Sequence, residues 1–192
     1  IFGLAATGYV HPHEIWRKTG LTDGDLLMLS KPLGVGVLLS TREQSDEEIA
    51  LEQMKVSNLG ARNSLSKLGK AVHAVTDVTG FGLIGHLSEM LGNSFLNAQV
   101  RLPSQAVLPP AQSLFDTGKR TSADSRNRAA LDREVLGLNE NNDQAALFDP
   151  QTNGGLLASI DPAFEIQLVE QGFITVGKVV TGSGKIEILS HQ

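Results

Sequence analysis

The stretch AVTDVTGFGLIGHL, residues 74–87, decides how this sequence is read. A short apolar run meets one carboxylate, Asp77, then Thr-Gly-Phe-Gly, then apolar residues at helical spacing. Asp77 therefore falls at a predicted strand end, ahead of a glycine-rich turn and a helix opening near Gly80. A carboxylate in that place can ligate Mg2+, which takes one or two carboxylates together with phosphate oxygens and water. Asp77 or Thr79 can equally cap the helix that follows, and spacing alone favours the cap.

Gly80, Gly82 and Gly85 spell G-x-G-x-x-G between a predicted strand and helix. The acidic residue that a dinucleotide fold places about 20 positions further on is missing, since residues 98–115 hold no Asp or Glu. Helix packing accounts for Gly85 at least as well. The helix runs over Phe81–Leu91, with Leu83, Ile84, Leu87, Met90 and Leu91 on one side.

Outward from this stretch, helices and strands interleave. Strands are predicted at residues 1–10, Leu26–Ser30, Ala71–Val75, Ala98–Leu102 and Leu156–Ile160. Phe173–Val180 and Lys185–Leu189 read as two strands of a hairpin, joined at Thr181–Gly184. Ser45 with Glu48 forms a capping-box pattern, opening a helix that extends past Gly60 to about Leu68. Pro109 and Pro110 open another helix, which Gly118 ends. A third runs over Pro162–Gln171 and stops at Gly172. Residues 33–37 and 121–128 read as loops, and 139–143 as a turn. The fold class is α+β, a mixed β-sheet with packed helices.

Composition narrows the function. The 192 residues include 41% apolar side chains, enough for one sizeable core. The net charge of −5 argues against a basic surface for nucleic acid or anionic lipid. With no cysteine, this sequence offers no disulfide, zinc-thiolate site or thiol nucleophile. No apolar run approaches the roughly 20 residues of a membrane span. The chain opens at Ile1 within an apolar run, which reads as a strand deprived of its upstream context and hence as a fragment.

Two further segments carry chemistry. KPLGVG, residues 31–36, pairs a cation with glycines but lacks the Gly-Lys-Ser/Thr end of a P-loop, so a buried turn is the simpler reading. DPQTNGG, residues 149–155, packs turn formers and amides into one loop that either meets an anion or turns tightly into a core strand. The histidines are scattered: His11 and His13 flank Pro12, and His86 reads as a satisfied helix residue.

Together, IFGLAATG (1–8), KPLGVG (31–36), TDVTGFGLIGHL (76–87) and DPQTNGGLL (149–157) resemble selenophosphate synthetase, in that family's order and at about its spacing. The family is also known as selenide, water dikinase. It shares a superfamily with aminoimidazole ribonucleotide synthetase and thiamine-monophosphate kinase. The resemblance implies the conversion of ATP, selenide and water into selenophosphate, AMP and phosphate, with Mg2+ as cofactor. It implies that residues 1–10 are the last strand of an N-terminal ATP-binding domain, and 11–192 the C-terminal domain. The nucleophile and an essential lysine would then lie upstream, leaving no catalytic residue here and little activity in this chain alone. By position Asp77 matches the family's magnesium ligand, which reverses the preference for a cap. Thr152, Gly154 and Gly155 fall in the loop expected to border the nucleotide. Asn153 stands where the family usually has serine. Residues 122–127 loosely match the family's Gly-Gly-Thr-x-Arg-Asn, with Arg126 and Asn127 aligned and Asp124 replacing threonine. A cytoplasmic enzyme, homodimeric at full length, is expected. The alternatives are another ATP-using enzyme of the superfamily, or a non-catalytic dimerisation or interaction module.

Overall fold

Leu27 and Leu29 join one apolar cluster, while Met28 between them joins another. This strand, β1 (Leu26–Leu29), is thus covered on both faces, which explains why its sequence is apolar throughout. The computed structural model describes residues 3, 5, 7–138 and 142–189. Among the described residues, β1 sits within a seven-stranded mixed sheet. The other strands are β2 (Val72–Asp77), β3 (Leu96–Val100), β4 (Val135–Leu136), β5 (Leu156–Ile160), β6 (Ile174–Thr181) and β7 (Ile186–Ile188), in spatial order β2-β5-β1-β6-β3-β7-β4. Pairing is antiparallel from β2 to β3 and parallel from β3 through β7 to β4.

Helices cover both faces. The larger core takes apolar residues of α1 (Val35–Thr41), α4 (Gly82–Leu91) and α5 (Pro109–Asp116). Phe115 and Phe148 are its largest fully buried side chains. The smaller core takes Leu65 of α3 (Leu59–Ser66), Leu168 of α7 (Glu165–Val169) and Phe173. Between them in sequence lie α2 (Gln44–Lys55) and α6 (Asp124–Ala129). The expected α+β class with a mixed sheet is the architecture found.

Five expectations change. The loop expected at residues 33–37 becomes the start of α1 after Gly34, whose φ of 120° turns the chain. The long helix expected from Ser45 to Leu68 is two helices, broken at Val56–Asn58, and its N-cap is Glu43 without a side-chain bond. Residues 124–129 form α6 rather than loop. The expected hairpin is split: β3 lies between β6 and β7 and pairs with both. Asn97 of β3 accepts from Ser183 and Lys185 backbone N–H at 2.8 and 2.9 Å, so the turn wraps around the inserted strand. Of the strand expected at 1–10, residues 7–10 are exposed and outside any strand, while residues 1, 2, 4 and 6 lie outside the described residues. Residues 139–141 of the expected turn do so too.

Candidate functional site

The motif segments meet at one end of the sheet. Asp77 closes β2 opposite Leu156, where β5 begins, and Leu29 of β1 lies opposite Leu157. Just past the strands, Val78 N–H donates to Gly155 O and Ser30 N–H to Leu156 O, both at 2.9 Å. The double glycine exists for this closeness. A Cβ on Gly154 would lie 2.1 Å from Val78 O, and one on Gly155 2.6 Å from Lys31 N.

The same loop grips the start of α1. Gln151 Oε1 accepts from Gly34 and Val35 N–H, each at 3.2 Å. Asp149 Oδ2 accepts from Gly36 N–H at 3.0 Å and from Gln151 Nε2 at 2.9 Å. Two side chains thereby satisfy amides that a helix N-terminus leaves open. Asp149 is 2% exposed, and its Oδ1 has no hydrogen-bond partner among the described residues. Burial pushes its carboxyl up to about 7, against the pull of Gln151 and the Gly36 and Val37 amides, and the nearby Asp124 adds to the rise.

The Gly80–Gly82 turn is tied into this cluster. Asn127 Nδ2 donates to Gly80 O and Phe148 O, both at 2.9 Å. Thr79 O accepts from Gly82 and Gln151 N–H, both at 3.0 Å. Gly82 has φ of 71° and packs on Leu147 and Phe148 backbone, so glycine is required there by conformation and space. Arg128 holds Asp124 at 2.8 Å while its guanidinium lies 4.0 Å over the Phe148 ring. His86 is buried between Thr79 Oγ1 and Glu89, 3.1 Å from each, a satisfied helix histidine. Beside this turn opens a cleft of about 610 Å3, lined by Phe81, Glu89, Phe95, Asn127 and Arg133 among others.

The family model described as AIR synthase related protein, C-terminal domain, matches residues 22–186. This chain belongs to that family. It is 37% identical over 205 residues to the selenide, water dikinase of Paraburkholderia xenovorans (strain LB400), covering 98% of this chain and 57% of the relative. The selenide, water dikinase of Burkholderia pseudomallei (strain K96243) is 36% identical over 204 residues, covering 98% of this chain and 56% of the relative. The chain thus spans a little over half the length of these curated relatives. The fold is also that of the thiamine monophosphate kinase from Aquifex aeolicus, with TM-score 0.61 and 17% identity over 90% of this chain and 52% of that one.

Within this AIR synthase related domain, Asp77 is exposed, and no hydrogen bond or ion pair among the described residues engages its carboxylate. No group of three or more His, Asp or Glu side chains is placed to hold a metal among the described residues. Thr152 is exposed, whereas Gly154 and Gly155 are buried in the packing described above. Asn153 adopts a φ of 50°, which asparagine tolerates better than most residues. Its Nδ2 donates to Met54 O, and its carbonyl accepts from Lys31 Nζ at 2.8 Å.

Sequence reasoning missed how much Gln151 and Asn127 do. Gln151 stood in a quoted motif, but only the fold shows its amide bridging to α1. Asn127 stood in a loose match, in a segment too polar to announce a helix. No helix among the described residues is long and apolar enough to cross a membrane.

Proposed function

We propose that this chain is the C-terminal part of an ATP-dependent selenophosphate synthetase, and that Asp77 is its magnesium ligand. The observation that carries the reading is the free Asp77 carboxylate on a sheet end where three motif segments converge. The similarity to selenide, water dikinases extends over 98% of the chain. Residues 1–10 would close an upstream ATP-binding domain, and residues 11–192 form the domain that covers its cleft. The full-length protein would be a cytoplasmic homodimer.

The residues present fit a magnesium–phosphate centre in one respect. A single exposed carboxylate at a rigid strand end suits an ion that completes its shell with phosphate oxygens and water. When bound, Mg2+ neutralises phosphate charge so that nucleophiles can approach. This chain's own part is to hold Asp77 in place. The β2–β5 ladder fixes its backbone, and the Gly154–Gly155 packing fixes β5. Thr152, Gly154 and Gly155 would border the nucleotide phosphates, and turnover would require groups outside this chain.

Selenide-dependent AMP formation by the longer protein tests this, with Mn2+ as a spectroscopic substitute for Mg2+. Asp77→Asn is expected to abolish turnover and to remove nucleotide-dependent Mn2+ binding seen by electron paramagnetic resonance. The 192-residue chain alone is expected to form no AMP. Undiminished turnover and Mn2+ binding in Asp77→Asn would overturn the ligand assignment.

A further inference from the structure

Three side chains form a line of contacts that ends at the Asp77 turn. Glu89 Oε2 lies 3.1 Å from His86 Nδ1, and His86 Nε2 lies 3.1 Å from Thr79 Oγ1. Glu89 and His86 are neighbours on α4, and Thr79 follows Asp77 by two residues. Lys18 Nζ donates to the same Glu89 oxygen at 3.0 Å. Burial raises the Glu89 carboxyl, but the hydrogen bonds from Lys18 and His86 outweigh it and leave it lowered, so Glu89 is ionised at neutral pH.

An ionised carboxylate only accepts, so the hydrogen between Glu89 and His86 belongs to His86 Nδ1. The neutral ring then has a bare Nε2, which needs a donor. Thr79 Oγ1 is the group that reaches it. The Thr79 hydrogen is therefore directed at the imidazole, and the lone pairs of its oxygen are left over. Among the described residues the bond to His86 is the one hydrogen bond of that hydroxyl. Thr79 is half-buried, and its backbone is pinned because its carbonyl accepts from Gly82 and Gln151 N–H. A hydroxyl held this way can only accept from a further partner.

Mg2+ on one or two carboxylates keeps several of its waters. Each such water gives a lone pair to the ion and turns both hydrogens outward, where they need acceptors. Acceptors of this kind orient the ligands of an ion and set its affinity. The opposite tautomer of His86 would turn the Thr79 hydrogen outward and repel such a water.

We propose that the Glu89–His86 pair holds Thr79 Oγ as the hydrogen-bond acceptor for a water ligand of the ion at Asp77. His86 and Glu89 are then positioning residues. The inference rests on the magnesium reading of Asp77.

Nitrogen NMR of this chain at pH 8, without metal, reads the tautomer directly. His86 is expected as the neutral Nδ1–H form. The Nε2–H form or an imidazolium would overturn the proposal without any variant having to fold. In the longer protein, nucleotide-dependent Mn2+ binding is followed by electron paramagnetic resonance. Thr79→Val is expected to weaken it at least about tenfold, whereas Thr79→Ser, which keeps the hydroxyl, stays within about twofold. Valine keeps the branched shape and serine does not, so a threonine that served packing alone would give the reverse order and overturn the proposal. Glu89→Ala is expected to lose the Nδ1–H preference and Mn2+ affinity together. Loss of Mn2+ in Asp77→Asn with undiminished binding in Thr79→Val would overturn this inference alone. Undiminished binding in both would overturn the magnesium reading and this inference with it.

Discussion

Asp149 accepts a hydrogen bond from the backbone N–H of Gly36 at 3.0 Å, joining residues 113 apart in sequence. The bond ties the loop before β5 to the first turn of α1, yet it leaves Asp149 Oδ1 buried and without a partner among the described residues. Burial raises this carboxyl from 3.8 to about 7, so between those values the folded state binds a proton that the unfolded chain does not. The contribution to stability is therefore fully present below pH 3.8 and lost as pH rises through about 7. For one proton the slope is at most about 1.4 kcal/mol per pH unit. Asp149→Asn is neutral throughout and removes this term. In urea denaturation at pH 5, 6 and 7, its stability relative to wild type is expected to rise with pH. A difference that stays flat would mean that Asp149 is ionised throughout this range.

Asn127 joins the Gly80 turn to Phe148 through both hydrogens of one amide. Asn127→Ala leaves two carbonyls without a donor and is expected to cost about 1–3 kcal/mol. Asn127→Asp keeps the shape but turns an acceptor toward both carbonyls, so at pH 7 it is expected to be the worse of the two. Urea melts of the two variants check the order. Equal effects would show that shape, rather than the donor, is what matters.

The elements legible in the sequence are those whose own side chains make the core. The apolar runs of β1, β2 and β5 and the helical spacing of α4 announced themselves, and Pro109 marked the start of α5. The elements that were misread are held from a distance. α1 begins where it does because Gln151 and Asp149 cap its amides, which nothing near residue 35 reveals. α6 is polar and is fixed by Asn127 and by Arg128 over Phe148. The turn at 181–184 carried a good hairpin signal, but insertion of β3 is a tertiary event. At the candidate site the position of Asp77 was legible from a run ending in a carboxylate. The bridges by Gln151 and Asn127 were not, because each spans segments distant in sequence.

The glycines near the site differ sharply in what they require. At Gly80 an added Cβ meets nothing within 4 Å, and the backbone lies in an ordinary region, so Gly80→Ala is expected to change stability by no more than about 0.5 kcal/mol. At Gly154 the Cβ would sit 2.1 Å from Val78 O, between two strands that cannot separate without breaking the ladder. Gly154→Ala is expected to cost about 1–3 kcal/mol or more, with hydrogen exchange accelerated at Val78. Similar melting temperatures for the two variants would refute this contrast.

Toward the other end of the β1–β5–β2 sheet, a second buried carboxylate makes the opposite case, because its known partners are all in place. Asp25 is 2% exposed and accepts from Thr22 N–H at 2.9 Å and from Ser159 Oγ at 2.5 Å, with His73 Nδ1 at 2.8 Å. These bonds link the turn before β1 to β5 and β2, so the carboxylate joins three neighbouring strands through side chains as well as backbone. Asp25→Ala strands the Ser159 hydroxyl, which is fully buried, along with a turn amide. The expected cost is about 1–3 kcal/mol for each buried donor left unpaired. Ser159→Ala should cost less, since Asp25 retains its other partners. The double variant should be less destabilised than the sum of the singles, because the second substitution removes the donor that the first leaves unpaired. Strict additivity in urea melts would show that Asp25 and Ser159 act independently, despite the 2.5 Å contact between them.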